Sequence, residues 1–501
     1  MKEAKQSARR LLKQLLELRL YVVSEVGQLL QRWHSTVAGT PFAASAANLA
    51  AYLAFRRRDL RLMQPALTAL GVSSLGRSEA HVLATIDAVI ATLAAIAGER
   101  VHALPSRPSR RLFSLGAQAL KRRVDGLLGP AQERSVRIMV TLPATAATDR
   151  AWVRKLIAAG TDCVRINCGH DNPPIWARMI RNVRMAARTA GHECRVVMDL
   201  CGPRARIESV HPEGEDMRVK RGDLILLTKH HTKRETGFRL HAQCRIGEGF
   251  DVLKPGAPLW INEGRIGAVV EKVVSEGLVI RVSDAREKGE KFRAEMALNF
   301  PDADLHISPL TAQDLENLDF IVQHADLVGY SFVQTGEEIS LLLGELDARR
   351  AKFGRKDKLG IIAKIETAKA VRNLPEMIVR SAARGPLGVM IARGDLAIEV
   401  GFQRTAELQE EIMWLCEAAQ VPVIWATQVL ESFAKKGLPT RAELTDAAMA
   451  ARAECVMLNK GPFIIEALGI LDGVLRQTSA HHAKKISQLR ALHSWDHFLK
   501  S

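Results

Sequence analysis

Residues 362–366 read IAKIE, residues 390–396 read MIARGDL and residues 424–428 read IWATQ. Each stretch begins as a short apolar run and ends in charged or hydroxyl side chains, which is typical of a buried parallel strand that stops at a functional face. A (β/α)8 barrel collects its active site at that face, from strands that lie far apart in the sequence. The three stretches therefore favour an α/β fold with a TIM barrel.

Five further apolar runs, each bounded by turn residues, complete a barrel of eight strands. About 20 to 30 residues separate most of them, which is enough for one crossover helix and two loops. One such helix is predicted over Pro173 to Ala190, because Asn172 supplies a start signal and apolar residues recur at helical spacing. The predicted strands are 136–142, 162–167, 195–200, 326–332, 359–366, 388–393, 422–427 and 454–459.

The gap between the third and fourth strands is much longer than the others. Residues 207–305 fill it with short alternating apolar stretches and with glycine turns such as Glu263-Gly264. This pattern predicts a small β-barrel domain inserted after strand 3. The catalytic barrel is then expected over 135–206 and 306–480, and a C-terminal tail over 481–501.

The N-terminal segment differs in charge from the rest of the chain. Residues 1–134 carry 20 Lys and Arg against 9 Asp and Glu, and this excess accounts for most of the net charge of +16. Leucines at helical spacing and an apolar stretch from Ala80 to Ala97 predict an independent all-helical extension, followed by a linker from Leu104 to Arg111. A basic surface binds anions or nucleic acid. Aromatic residues that stack on bases are sparse here, so an ordinary solvated surface is the better interpretation.

The composition also indicates a compartment. The sequence has no uncharged apolar run of about 18 residues, and its first residues lack the apolar segment of a signal peptide. Seven cysteines, an odd number without a CxxC pair, indicate a reducing environment. We expect a cytoplasmic protein with neither a membrane nor a nucleic acid as its partner.

The strand ends carry a set of side chains suited to metal and anion binding. Glu366 and Asp395 are hard oxygen ligands at the ends of neighbouring strands, suited to Mg²⁺ or Mn²⁺. Lys364 lies two residues before Glu366 and points to the same face, where it would stabilise an anion. Gly394 and Asp395 open the next helix, whose free N–H groups hold phosphate or carboxylate. A surface ion pair would explain one Lys-x-Glu, but three converging strand ends favour a metal site.

Arginines and a histidine lie near the same barrel mouth. Arg165 ends the second strand, and Arg204 and Arg206 follow the third. Guanidinium groups bind phosphate and carboxylate oxygens bidentately, so the three arginines predict an anionic substrate, and rim salt bridges are the alternative. No second histidine is spaced to join His170, so a metal-ligand role for it is not favoured.

Taken together, these runs resemble the pyruvate kinase family. The resemblance implies that phosphoenolpyruvate donates a phosphoryl group to ADP, giving pyruvate and ATP, in a homo-oligomer with Mg²⁺ or Mn²⁺ as cofactor. It extends from about Val136 to Leu475 and is carried, in order, by VRINCGH (164–170), DLCGPRARI (199–207), LNFPDADL (298–305), LTAQDLENL (310–318), AKIETAKAV (363–371), VMIARGDLAIEV (389–400), VIWATQVLESF (423–433) and PTRAELTDAAMA (439–450).

The resemblance implies a role for each matching side chain. Glu366 and Asp395 match the metal ligands. Lys364 matches the lysine that neutralises charge on the phosphoryl group and the enolate, and Arg165 matches a contact of the transferred phosphate. Thr427 matches the threonine that takes part in protonation of the enolate carbon.

The positions of the family's monovalent-cation site are partly changed. Asn167 and Asp199 match ligands of that cation, but Gly169 and Leu200 stand where potassium-dependent members have serine and threonine. Arg204 stands where those members have Glu and where potassium-independent members have Lys. Its fixed guanidinium is expected to supply the positive charge, so K⁺ should not be required.

The nucleotide side departs further from the family pattern. The resemblance puts Pro143 and His170 there, but Met296 and Ala297 replace a lysine and a glycine, and the segment after the eighth strand is shortened to 459–462. The inserted domain is still expected to act as a lid that excludes water. The resemblance ends before the family's C-terminal effector domain, so control by fructose bisphosphate at that site is not expected.

Two alternative functions remain open. One is a related metal-dependent enolate enzyme with a different phosphoryl acceptor or substrate. The other is a catalytically weak relative whose basic N-terminal module binds a partner.

Overall fold

The computed structural model describes most of the chain. The described residues are 2–99, 104–203, 205–212, 216–230, 237–245, 250, 252–301, 303, 308–484 and 486–487.

The N-terminal segment is helical, as predicted, but it does not stand apart from the barrel. Leu11 and Leu15 of its first helix lie in a buried cluster with apolar residues of the other N-terminal helices. Phe42 and Leu49 instead belong to the main buried cluster of the barrel. The expectation of an independent module is therefore wrong, because apolar faces of these helices are covered by the barrel. In the described part of residues 1–134 the helices are α1 (Lys2–Val37), α2 (Ala43–Arg56), α3 (Met63–Ala69), α4 (Val82–Ala97) and α5 (Leu112–Leu128).

One N-terminal stretch is long and apolar enough to cross a membrane. It runs from Glu79 to Ala97 and has a mean hydropathy of 1.9. Ile86, Ile90 and Leu93 of this stretch are fully buried, and α4 packs against α1 and α2. A buried core helix passes the same test of length and composition, so this single helix is weak evidence for a membrane span.

Strands and helices then alternate through the barrel, which is interrupted by an insertion made of strands. The first barrel elements are β1 (Arg137–Thr141), α6 (Arg150–Ala158), β2 (Cys163–Asn167), α7 (Pro173–Ala190) and β3 (Arg195–Asp199). The insertion contributes β4 (Arg206–Pro212), β5 (Arg218–Val219), β6 (Leu224–Thr228), β7 (Leu240–Arg245), β8 (Pro258–Ile261), β9 (Ile266–Val274), β10 (Gly277–Asp284), β11 (Glu290–Lys291) and β12 (Leu298–Asn299).

The chain returns to the barrel after β12. The remaining elements are α8 (Ala312–His324), β13 (Leu327–Tyr330), α9 (Gly336–Phe353), β14 (Gly360–Ile365), α10 (Ala368–Ala382), β15 (Leu387–Ala392), α11 (Arg393–Val400), α12 (Phe402–Ala419), β16 (Val423–Ala426), α13 (Glu431–Lys436), α14 (Arg441–Ala450), β17 (Cys455–Leu458), α15 (Ile464–Ser479), β18 (His482–Ala483) and β19 (Ile486–Ser487).

Eight parallel strands close into a barrel among the described residues, in the order β1-β17-β16-β15-β14-β13-β3-β2. The predicted TIM barrel is confirmed, and each observed strand lies inside its predicted run or begins one residue before it. Strands such as β14 are buried at every residue, which is why they read as continuous apolar runs. Helix α7 has its predicted bounds, and the Asn172 side chain caps it by accepting a hydrogen bond from the Ile175 amide at 3.2 Å.

The insertion forms a curled sheet with its own apolar core. Seven of its strands are ordered β12-β8-β9-β10-β6-β7-β4 in the described part of the domain. The two ends of this sheet meet, because the Leu298 amide donates to the Ala205 carbonyl at 2.9 Å and the Ile207 amide donates to the Met296 carbonyl at 3.0 Å. The predicted turn at Glu263-Gly264 lies between β8 and β9. The insertion after strand 3 therefore curls toward a barrel, as the sequence predicts.

The C-terminal end of α5 fills the bottom of the barrel, opposite the strand ends that carry the motifs. Leu127 is buried there among side chains from several barrel strands. A Cβ atom on Gly360 would lie 2.6 Å from one Leu127 methyl, and a Cβ on Gly388 would lie 2.7 Å from the other. These two glycines leave the space that Leu127 occupies. The sequence pattern of the first 134 residues does not single out this helix.

Candidate active site

Arg165, Asp199 and Lys364 meet at the C-terminal ends of β2, β3 and β14. Arg165 Nε donates to Asp199 Oδ2 at 2.7 Å, and Lys364 Nζ lies 3.5 Å from the same oxygen. Burial alone would raise the pKa of Asp199, but the charges of Arg165 and Lys364 outweigh it and hold the pKa below its usual value. The carboxylate is therefore ionised and fixes both cations at the barrel mouth.

Lys364 also contacts the carboxylate that follows it on the strand. Its Nζ lies 3.0 Å from Glu366 Oε1 and donates to Ser331 Oγ at 2.7 Å. The other Glu366 oxygen accepts a hydrogen bond from the Phe332 amide at 2.5 Å. Burial alone would lower the pKa of Lys364, but Glu366 and Asp199 outweigh it and hold the pKa above its usual value. Lys364 therefore stays a cation in a nearly dry site, where its charge acts strongly on an anion.

Glu366 and Asp395 form the pair of carboxylates that the sequence places on neighbouring strands. Burial raises the pKa of Glu366, Lys364 opposes this, and the negative charge of Asp395 adds to it. A divalent cation relieves such repulsion and accepts hard oxygen ligands, so this donor set fits Mg²⁺ or Mn²⁺. No group of three or more His, Cys, Asp or Glu suited to a metal occurs in the described part of the chain.

Thr427 lies against the first turn of α11, which carries Asp395. Its Oγ1 accepts a hydrogen bond from the Gly394 amide at 2.9 Å, and its backbone has a φ of +64°. Arg393 is buried and donates to the Thr427 carbonyl and, at 3.1 Å, to the Ala426 carbonyl. Its guanidinium thus holds the end of β16 in this uncommon conformation.

A carboxylate from α14 completes the support of the first turn of α11 and the end of β16. Arg393 forms a bidentate pair with Asp446, at 2.5 and 2.9 Å, and its Cζ lies 4.7 Å from the centre of the Trp425 ring. Sequence reasoning missed both Arg393 and Asp446. Arg393 lies inside the MIARGDL motif and Asp446 inside the last motif, but only the fold brings them together.

Two more supporting positions become visible in the structure. Asp314 is fully buried and accepts hydrogen bonds from the Cys201 and Gly202 amides at 2.8 and 3.2 Å, which fixes the turn after β3. The capping box that it forms with Thr311 is a sequence signal for its helical position but not for this second contact. Gly329 packs directly on Asp199, because a Cβ there would lie 2.0 Å from Asp199 Oδ1.

The remaining predicted site residues lie around this centre with differing contacts. Asn167 Oδ1 accepts from the Gly169 amide at 3.0 Å. His170 is exposed, and partial burial of its ring and the charge of Lys460 lower its pKa. Pro143 follows β1 and precedes the short 3₁₀ helix Ala144–Ala147.

Arg206 belongs to the first strand of the insertion. It donates to the Glu295 carbonyl at 3.1 Å and is about 43% exposed, so its guanidinium is held at the insertion rather than among the buried groups. Arg204, the predicted substitute for a monovalent cation, lies outside the described residues. The two substituted positions of the nucleotide side differ in burial: Met296 is part of the core of the insertion, and Ala297 is half-buried.

The fold and the site define a TIM-barrel protein with a β-domain inserted after the third strand and a cluster of cations and carboxylates at the barrel mouth. The family model of the pyruvate kinase barrel domain matches residues 133–463. The chain therefore belongs to the pyruvate kinase family, as the motifs indicate.

Individual relatives agree with this assignment. Human pyruvate kinase PKLR is 32% identical over 380 residues, which cover 72% of this chain and 63% of that protein. A pyruvate kinase of Agrobacterium vitis is 33% identical over 365 residues, covering 70% of this chain and 69% of that protein. A crystal structure of a pyruvate kinase from Cryptosporidium parvum matches with a TM-score of 0.63 and 25% identity, over 71% of this chain and 72% of that one. The chain thus spans about 63% of the length of the human and rat relatives that it matches.

Proposed function

We propose that the protein is a pyruvate kinase that transfers a phosphoryl group from phosphoenolpyruvate to ADP and releases pyruvate and ATP. The observation that carries this proposal is the buried cluster of Arg165, Asp199, Lys364 and Glu366, with Asp395 in the first turn of α11, directly after the next strand. Phosphoryl transfer depends mainly on positioning and on neutralising charge, and this cluster offers a guanidinium, Arg165, and an ammonium group, Lys364, both held by carboxylates.

Each side chain has a distinct task in the proposed reaction. Arg165 has a guanidinium at the barrel mouth that suits the transferred phosphate. Lys364 neutralises the charge that develops on the enolate oxygen when the phosphoryl group leaves. The N-terminal end of α11, at Gly394 and Asp395, suits the substrate carboxylate through the helix dipole, because the Gly394 amide itself is already bonded to Thr427 Oγ1. Arg206, held on the insertion, adds positive charge on that side of the mouth.

The two carboxylates of the site are the residues that would hold a divalent metal. Glu366 and Asp395 would hold Mg²⁺ or Mn²⁺, which when bound neutralises charge on the phosphoryl oxygens. Thr427 Oγ1 accepts from the Gly394 amide, which fixes the hydroxyl near the start of α11, and we assign to its own O–H the delivery of a proton, through water, to the enolate carbon.

Independence from K⁺ is the second part of the proposal. Among the described residues Asp199 Oδ1 has no hydrogen-bond partner and faces Gly329, whereas Oδ2 is already shared by two side-chain cations. Asn167 and Asp199 are then remnants of a cation site rather than ligands. By its position in the sequence, two residues after Gly202, we expect Arg204 to supply the positive charge that potassium otherwise brings.

The nucleotide side of the barrel mouth is where the chain departs most from the family pattern. Pro143 and His170 line the side of the mouth where ADP would enter, and the insertion closes over it as a lid that excludes water. Met296, buried in the core of the insertion, offers no charge to a nucleotide. This observation favours one alternative, a related enzyme with another phosphoryl acceptor.

The proposed activity belongs to glycolysis, so we place the protein in the cytoplasm as a homo-oligomer without a membrane or nucleic-acid partner. The domain limits proposed from the sequence are 1–134 for the helical extension, 207–305 for the lid and 481–501 for the tail. The remaining residues form the catalytic barrel.

The deciding experiment measures pyruvate formation from phosphoenolpyruvate with ADP and Mg²⁺, in potassium-free buffer and again with added potassium. We expect equal turnover in both buffers. Turnover only with potassium would refute the cation substitution while keeping the kinase assignment. If ADP gives no turnover in either buffer but another nucleoside diphosphate does, that nucleotide and not ADP is the phosphoryl acceptor.

Arg204→Glu tests the cation substitution directly. The variant should need potassium for full turnover, because it replaces the proposed fixed cation by the carboxylate of potassium-dependent relatives. Arg110→Glu, which makes the same charge change on the exposed N-terminal segment, is the matched control and should stay potassium-independent. Activity of Arg204→Glu that ignores potassium would contradict the assignment of Arg204.

A further inference from the structure

A second cavity lies among the N-terminal helices, and its lining shares no residue with the candidate active site. Its volume is about 520 Å³, within the range of small-molecule sites. Phe55 and Leu75 are its buried apolar members. Four arginines line the same cavity: Arg56, Arg57, Arg58 and Arg61.

Two of the four arginines have acidic partners and two do not. Arg57 and Arg61 are ion-paired with neighbouring carboxylates at 3.1 and 2.6 Å. The ion pairs formed within the described residues include neither Arg56 nor Arg58. A guanidinium has five N–H donors and binds phosphate bidentately, so these two side chains suit an anion from outside the chain.

Aromatic rings hold both arginines in place. Arg56 donates to the Tyr52 hydroxyl at 2.8 Å, and its Cζ lies 5.0 Å from the centre of the Trp414 ring. The Cζ of Arg58 lies 4.0 Å from the centre of the Tyr21 ring. Stacked guanidiniums lose less side-chain freedom when a ligand binds, which favours affinity.

The acidic residues of the cavity restrict the kind of anion that fits. Asp59 and Glu79 also line it, and Glu79 is buried. Two carboxylates repel an extended polyanion such as nucleic acid, but they tolerate one compact phosphate held by the arginines. A carboxylate has about four acceptor positions, so Glu79 also suits a ligand that carries hydroxyl donors.

We propose that this cavity is a second ligand site, which binds a small organic phosphate with its phosphate group between Arg56 and Arg58 and its hydroxyl groups toward Glu79. The proposal does not depend on the activity of the barrel.

Isothermal titration calorimetry of the full chain with glycerol 3-phosphate tests the proposal. In the double variant Arg56→Gln/Arg58→Gln the affinity should fall at least about tenfold, because two charge-assisted contacts are lost. The matched control Arg110→Gln/Arg122→Gln removes two exposed positive charges from the same segment, outside the cavity, and should bind as the wild type does.

Several outcomes would overturn the proposal. Equal weakening in both double variants would show general charge attraction, and unchanged binding in both would place the probe elsewhere, for example at the barrel mouth. If the wild type does not bind glycerol 3-phosphate, the proposed ligand site is refuted. Inorganic phosphate is expected to bind more weakly than glycerol 3-phosphate, and equal affinities would overturn the proposed hydroxyl contacts.

Arg56 packs on two rings, so its replacement can lower stability. The single variant Arg58→Gln, at an exposed residue, then carries the test. Its melting temperature should match the wild type, and its affinity for glycerol 3-phosphate should still fall several-fold. An unchanged affinity would overturn the proposal. The proposal would also be overturned if the wild type bound single-stranded oligonucleotide but not glycerol 3-phosphate, and Arg58→Gln lost the oligonucleotide binding.

Discussion

Gly329 is the position at which one added methyl group should disable the candidate site. A Cβ atom there would lie 2.0 Å from Asp199 Oδ1 and 2.7 Å from its Cγ, far inside van der Waals contact. Asp199 is fully buried, and its other oxygen holds Arg165 at 2.7 Å and Lys364 at 3.5 Å. In Gly329→Ala the carboxylate must therefore move, and the two cations lose their common partner.

The size of the effect follows from two contributions. Overpacking of a buried position costs about 1–3 kcal/mol. Loss of a hydrogen bond to a charged group costs about 1.5–3 kcal/mol more. We expect a melting temperature several degrees below that of the wild type. We also expect kcat for pyruvate formation to fall about a hundredfold, because a catalytic group displaced by about 1 Å has an effect of that order.

Gly344→Ala is the matched control for this experiment. Gly344 lies on the exposed face of α9, and no described atom comes within 4 Å of an added Cβ. Replacing a helical glycine by alanine stabilises by up to about 1 kcal/mol, so this variant should melt at or above the wild-type temperature with unchanged kcat. If Gly329→Ala melts like the control, the packing of Asp199 against β13 is refuted. If it melts lower but keeps its kcat, the catalytic role of the Asp199 cluster is refuted instead.

Three further predictions concern other parts of the chain. Leu127→Ala should cost about 2–5 kcal/mol and Gly388→Ala about 1–3 kcal/mol in the free energy of unfolding, measured in guanidinium chloride. The double variant should be about as stable as Leu127→Ala alone, since the clash at 2.7 Å disappears, and additive losses would contradict the docking of α5. Burial alone would raise the pKa of Glu443, but hydrogen bonds from the Thr440 and Ser432 amides outweigh burial and lower this pKa from its usual 4.5. The stabilisation by Glu443 is therefore fully present above pH 4.5 and is lost as the pH falls through the lowered pKa. The difference in melting temperature between wild type and Glu443→Gln should thus be largest near neutral pH and vanish in acid, and a difference that persists in acid would refute the capping role. Lys364→Met should lower kcat by several orders of magnitude and keep a cooperative thermal transition, and unchanged turnover would remove Lys364 from the catalytic site.

The sequence by itself determined the strands and most of the chemistry at their ends. Each barrel strand is a short apolar run between turn residues, and such a signal is local, so all eight were placed to within a residue or two. Lys364 and Glu366 alternate along one strand, and this spacing alone puts both side chains on one face. Local start signals such as Asn172 likewise gave the bounds of α7.

The tertiary structure decided which of these residues share a partner. Asp314 contacts the Cys201 amide across 113 positions of sequence, and Arg393 contacts Asp446 across 53. Neither pair has a local signal, because each forms only when closure of the barrel brings a helix against the end of a distant strand. The packing of α5 under the barrel has the same cause. An apolar helix face indicates that it must be covered, but the shape of the folded barrel determines what covers it.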